Sequence, residues 1–386
     1  MLVRRRCWNS AELLLFLLQQ PAALSQLCAF CSPDKRKESP DLCYGDFSRT
    51  ILIPVRSGSG AASALPEPWA LAGCRMGRTG LLFALLLLCD ICWGQDLTPR
   101  AYVVTPIHTN AVILTYSYFK GGVLFDPTIP VTDVQSEANL SALSIFHTFS
   151  FFGRSASFTA TLPYSVARLR GMVTGAPTAG EIHRSGLLDG AFRLSVNLRG
   201  GPAMDVKEYA RWRQKTLLGA SLTLVTPTGQ YDPARLINQG SNRWAFKPEI
   251  GLSRRFGHWL FDAYGAVWFF TANPEFFSHN VISPGTNTRA EAPIAACESH
   301  VSYDLKPRFW TSLDINFWTG GRTSINGVTN VGTLQRSSRI GGTISVPVSS
   351  HQALKFSYSN GAYIRYGGDY QNVSAAWQYS WQGRPN

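Results

Sequence analysis

Residues 372–381 read NVSAAWQYSW. Val373, Ala375, Trp377, Tyr379 and Trp381 alternate with Asn372, Ser374, Ala376, Gln378 and Ser380. Successive side chains of a strand point to opposite faces, so a strand here has one apolar, aromatic face and one small, polar face.

The same separation recurs upstream. NAVILTYSY sends Val112, Leu114, Tyr116 and Tyr118 one way. RWAFKPEIGLS separates Trp244, Phe246, Pro248, Ile250 and Leu252 from Arg243, Lys247, Glu249 and Ser253. RFWTSLDINFW separates Phe309, Thr311, Leu313, Ile315 and Phe317 from Trp310, Ser312, Asp314, Asn316 and Trp318, and ALKFSYS sets Leu354, Phe356 and Tyr358 against Lys355, Ser357 and Ser359. SALSIFHTFSFF (141–152) carries aromatics on both faces, so its orientation stays open.

Connections between these runs alternate in length. Tight links fall at 151–155, 254–259, 303–308 and 347–352. Longer polar loops occupy 120–138, 165–186, 228–242, 271–291, 320–336 and 364–370. About twelve strands of roughly ten residues, with short turns at one end and long loops at the other, predict an all-β fold, a transmembrane antiparallel barrel of the outer-membrane kind. The competing architecture is a soluble antiparallel barrel or sandwich, in which the same alternation would point its apolar faces inward. Trp and Tyr near strand ends and more large apolar side chains than one interior needs favour the membrane.

An export signal favours it too. MGRTGLLFALLLLCDICWGQ (76–95) has a basic Arg78, an apolar run from Leu81 to Leu88, and small residues before Gln95. That run is too short for a membrane helix. The layout predicts residues 76–94 as signal peptide, cleavage after Gly94, and 95–386 as the barrel. Residues 1–75 then read as a mis-assigned start or a non-native extension, with a genuine extension as the rival. Seven of the eight cysteines lie at or before the signal and only Cys297 after it, so an exported chain has no internal disulfide. Cys28 and Cys31 lack a second pair at zinc spacing, and no metal or cofactor motif is expected.

Residues 95–386 hold 26 basic and 17 acidic residues, a net charge of +9. No basic run reaches four, which together with export argues against nucleic acid. The expected partners are outer-membrane lipid, phosphate-bearing surface glycolipid and small anionic solutes. Oligomeric state is not legible.

If the apolar faces meet lipid, charged residues must face a hydrated interior, because charge in hydrocarbon costs kilocalories. The lumen-lining candidates are Arg193, Lys247, Glu249, Asp262, Glu298, His300, Asp314, Arg339, Lys355 and Arg365. Leu114, Leu222, Ile250, Val267, Leu313, Ile344 and Phe356 are expected on the lipid side. The mixed signs suit pairing across strands, a constriction for polar solutes, or both. MDVKEYARWRQK (204–215) has helical spacing at Val206, Tyr209 and Trp212, and reads as a short amphipathic helix or a solvated turn on the short-turn side. No G-x-S-x-G, H-E-x-x-H or P-loop occurs, and no serine is spaced as a partner for His300, so no catalytic residues are assigned.

The stretch 227–249 carries a resemblance. Its Pro-Thr-Gly-Gln-Tyr-Asp (227–232), Leu-Ile-Asn (236–238) and Gly-x-Asn-Arg-Trp-x-Phe-x-Pro (240–248) resemble the bacterial family called Putative MetA-pathway of phenol degradation. SGLLDGAFRLSVNLRGGPAM (185–204) and SPGTNT (283–288) are similar to it as well. The resemblance covers nearly all of 97–382 and implies an outer-membrane, channel-like protein associated with breakdown of aromatic compounds; it carries no established binding residues. The expected function is passive passage of small solutes, aromatic compounds among them. A closed structural or adhesive surface barrel acting through its loops is the alternative, and an outer-membrane hydrolase comes third.

Overall fold

The computed structural model describes residues 97–124, 131–173, 180–281 and 283–383. The signal and the segment before it lie outside the described residues.

Alternation in the sequence becomes strands: β1 (Thr109–Leu124), β2 (Val131–Phe151) and β3 (Arg154–Val173) come first. β4 runs in two stretches, Gly180–Leu187 and Ala191–Arg199, both paired to β3. Next come β5 (Thr216–Val225), β6 (Ala245–Phe256), β7 (Trp259–Phe270) and β8 (Ile294–Lys306). β9 (Phe309–Gly320), β10 (Gln335–Pro347), β11 (Gln352–Tyr363) and β12 (Gly367–Gln382) complete the set. Each pairs antiparallel with its sequence neighbours, and β1 pairs β12 from Thr109↔Gln382 to Leu124↔Gly367. The result is a closed twelve-stranded barrel, which leaves no open sheet edge in hydrocarbon. Among the described residues no helix is long and apolar enough to cross a membrane.

The barrel is turned apolar side out. On β6 and β9, Ile250 and Leu313 are 54% and 53% exposed, while Lys247 and Asp314 are 5% and 1% exposed. Leu114, Leu222, Ile344 and Phe356 share the outward face, and Val267 is on the same side of β7 as exposed Phe261 and Phe269. A soluble barrel would show the reverse. The open orientation of 141–152 is resolved: Leu143, Ile145 and Phe151 point out, whereas Phe146 and Thr148 point in. Cys297 lies half-buried on β8.

Three loop assignments need correction. Much of 120–138 and 165–186 is strand, because β1–β2 and β3–β4 pair well past the barrel's common height. Charged and small residues line these extensions, so the apolar-polar contrast that marks a membrane strand is weak there although the ladder continues. Lys120–Glu137 at 2.9 Å and Arg168–Glu181 at 2.7 Å link the paired strands there. The stretch 364–370 also shortens to a three-residue link before β12.

Between β4 and β5 lies the helix α1 (Val206–Arg211). Asp205 and Glu208 form a capping box, each side chain accepting from the other's backbone N–H, which fixes where it starts. Tyr209 and Trp212 pack on a small apolar cluster of Val104, Met204 and Leu217.

Candidate functional site

Residues ahead of β1 do not trail into solvent. The segment 97–108 runs inside the barrel and leaves it at the short-turn end, where Ile107 N–H donates to the Met204 carbonyl (2.9 Å) and His108 N–H to the Thr148 carbonyl (2.8 Å). Its backbone is held by wall side chains: Thr98 N–H donates to Glu298 Oε2 (3.3 Å), Arg100 N–H to Asp262 Oδ2 (3.2 Å) and Ala101 N–H to the Tyr264 hydroxyl (3.1 Å). An irregular segment in a membrane protein's interior needs such partners, since unpaired backbone groups there are costly.

Two side chains fix its register. Arg100 donates to Asp304 Oδ1 (2.7 Å), Arg255 donates to the other oxygen of that carboxylate, and the Arg100 guanidinium lies 4.3 Å from the Trp310 ring centroid. Tyr102 donates to Glu249 Oε1 (2.8 Å) and lies edge-on to Tyr264, with centroids 5.2 Å apart. Its ring occupies a notch made by Gly219 and Gly251, which face each other across β5 and β6. A Cβ at either would come within 2.1 or 2.2 Å of a Tyr102 ring carbon, so only glycine admits the ring.

Six of the ten lumen candidates form one chain. Arg193 donates to Glu249 Oε1 (2.8 Å), and Lys247 lies 3.1 Å from Glu249 and 3.3 Å from Glu298. His300 continues it, 3.4 Å from Glu298 and 2.9 Å from Asp314, whose other oxygen accepts from Thr343 Oγ1 (2.8 Å). Buried charges of both signs in contact offset part of their desolvation cost. Both ring nitrogens of His300 face carboxylates, so neither addresses a serine hydroxyl as a hydrolytic triad would require.

Asp262 stands apart from the chain and holds Arg100's backbone. Arg339 and Lys355 face a cavity instead. Arg365 is exposed on the link between β11 and β12, where its N–H donates to Ser337 Oγ (3.2 Å), and is not on a strand.

Two cavities flank the segment. One, of about 230 Å³, lies between it and β2–β4, lined by Phe146, Thr148, Ser155, Ser157 and Ser195. The other, of about 340 Å³, lies toward the long-loop end against β9–β12 and β1, with Leu97 at its edge. Sequence reasoning missed Arg100, Tyr102, Asp304 and Tyr264. A polar-aromatic stretch between the signal and the first alternating run was the available hint.

The long-loop end is built from the family-like stretches. Asp189 accepts from Gly229 N–H (2.9 Å) and Ser241 N–H (2.8 Å), tying 185–204 to the loop after β5. Asn238 Oδ1 accepts from Asp232 N–H (2.9 Å), and Tyr231 donates to the Glu275 carbonyl (3.0 Å). Asn287 and Thr288 bind Asn326, joining 283–288 to a small sheet of Arg289–Glu291, Thr323–Ile325 and Val328–Asn330.

The family model Putative MetA-pathway of phenol degradation matches residues 119–382. Among solved structures, the COG4313 outer membrane channel from Pseudomonas putida F1 is 16% identical, with a TM-score of 0.60 over 74% of this chain and 100% of that one. The transport unit of the autotransporter AIDA-I from Escherichia coli is 9% identical, with a TM-score of 0.43 over 79% of this chain and 98% of that one. The β domain of the Bordetella autotransporter BrkA is 13% identical, with a TM-score of 0.41 over 71% and 100%. No curated protein matches. The first likeness establishes the fold as that of an outer-membrane barrel.

Proposed function

Because the chain belongs to the family Putative MetA-pathway of phenol degradation, we propose that it is an outer-membrane channel for passive passage of small solutes, aromatic compounds among them. The observation that carries this reading is the lumen itself. It is not closed by packed apolar side chains; it holds a polar lining, a segment bound by side chains, and a cavity on each side of that segment. Passage would follow the β1–β4 and β12 wall, past the two cavities, while Glu249, Asp262, Tyr264 and Glu298 on β6–β8 anchor the segment. Outward apolar faces would meet lipid.

The occupied lumen also favours a second reading, a closed barrel whose long loops do the work. Planar-bilayer recording separates them. Discrete conductance from the full-length protein supports the channel, and deleting residues 97–105 should raise it several-fold while the barrel still folds. Silence from both proteins would mean a closed barrel.

A further inference from the structure

We infer that the cavity of about 340 Å³ is a binding station for a monocyclic aromatic carboxylate, an inference that deepens the channel reading and rests on it. Its size is at the small end of ligand pockets, which suits one ring. Its chemistry has three parts.

The first is unmatched positive charge. Lys355 lines the cavity, and among the described residues it has neither an ion pair nor a hydrogen bond. Arg339 is buried; among the described residues its Nε has no partner, and its Nη1 makes two long contacts, 3.4 Å to Ser359 Oγ and 3.4 Å to the Tyr370 carbonyl. Asp314 is the carboxylate on the lining, but its two oxygens are taken by His300 and Thr343. An anion entering here therefore meets a cation with donors to spare, Arg339 at the level of the rings or Lys355 six residues deeper along β11.

The second is an aromatic corner. Phe119 and Tyr370 stand edge-to-face with centroids 5.1 Å apart, and the Arg339 guanidinium lies 4.0 Å from the Tyr370 ring centroid. A third ring can add to such a pair in the same geometry. The third is position: Tyr370 and Phe119 are near the long-loop ends of their strands and Lys355 is deeper, so a ring and its carboxylate would span them in that order.

The test uses the full-length protein folded in detergent, with benzoate, acetate and benzyl alcohol as probes in calorimetry. Benzoate should bind at least about tenfold more tightly than either, because it alone satisfies both a cation and the rings. Lys355→Met should weaken benzoate about tenfold and leave benzyl alcohol unchanged, while Lys355→Arg should restore most of the loss. Equal binding of benzoate and acetate, or a Lys355→Met protein that binds benzoate as the parent does, would overturn the site. Binding is read without conduction, so the outcomes separate. A silent barrel that prefers benzoate defeats the channel reading alone, and a conducting barrel without that preference defeats the site alone.

Discussion

From β6 to β9 the inward positions hold Lys247, Glu249, Asp262, Glu298, His300 and Asp314; on β1–β4 and β12, besides the charged Arg193, they include Thr115, Ser117, Thr148, Ser155, Ser157, Ser195 and Ser374. Strand geometry is common to both walls, and the difference lies in side-chain reach and charge. Long charged groups span neighbouring strands, satisfy one another, and still offer carboxylate oxygens to the N–H groups of 97–108. Short hydroxyls bond locally, as Ser144 does to Thr161 at 2.8 Å, and leave space. One wall therefore grips the first half of the segment, and the other meets it where it leaves the barrel, at Thr148.

The sharpest way to break the comparison is to remove the carboxylate on which three donors converge. Glu249→Leu leaves Arg193, Lys247 and the Tyr102 hydroxyl without their shared acceptor. It should destabilise the barrel by about 3–5 kcal/mol in urea titrations of refolded protein. Ser195→Ala on the other wall should stay within about 0.5 kcal/mol. Similar losses from the two would mean that the charged chain is not a structural unit.

A somewhat smaller effect tests which face is the lumen at all. Leu313→Arg places a charge on the outward face of β9 and should cost about 2–4 kcal/mol if that face meets the bilayer midplane. Refolding into lipid vesicles reads it directly. If Leu313→Arg were harmless there, the apolar faces would not be in hydrocarbon.

How much of this was legible in the sequence follows from where apolar and polar environments differ most. Along 308–318 and 372–381 one face meets hydrocarbon and the other a polar lumen, so residue type separates with period two and the fold can be read directly. At 120–123 and 133–138 charged, polar and small residues predominate, so pairing continues with little compositional trace. The charged candidates were legible because a charge within a membrane strand has one affordable side. Their connectivity was not: Glu249 and Glu298 meet at Lys247 through registers across several strands. Arg100 and Tyr102 were invisible because 97–108 has no periodicity, and its position depends on contacts such as Thr98 to Glu298, distant in sequence.

The smallest of the three effects sharpens the comparison most, because it isolates the segment from the wall that holds it. Gly219→Ala adds one methyl where the Tyr102 ring lies, 2.1 Å from the nearest ring atom, and the wall strand cannot retreat without breaking its ladder to β6. The ring must move, and with it the hydrogen bond to Glu249. Overpacking of this kind should cost about 1–3 kcal/mol. If the clash is with Tyr102 alone, Tyr102→Ala should remove it, so that Gly219→Ala costs almost nothing in the Tyr102→Ala protein. The coupling in that double-mutant cycle measures how tightly the segment is seated. In bilayers, Gly219→Ala and Tyr102→Ala should each raise the open fraction, and the double variant should add little to either. A Gly219→Ala cost that persists without Tyr102 would place the glycine's role in the strand backbone, and the notch would no longer explain why two glycines face each other there.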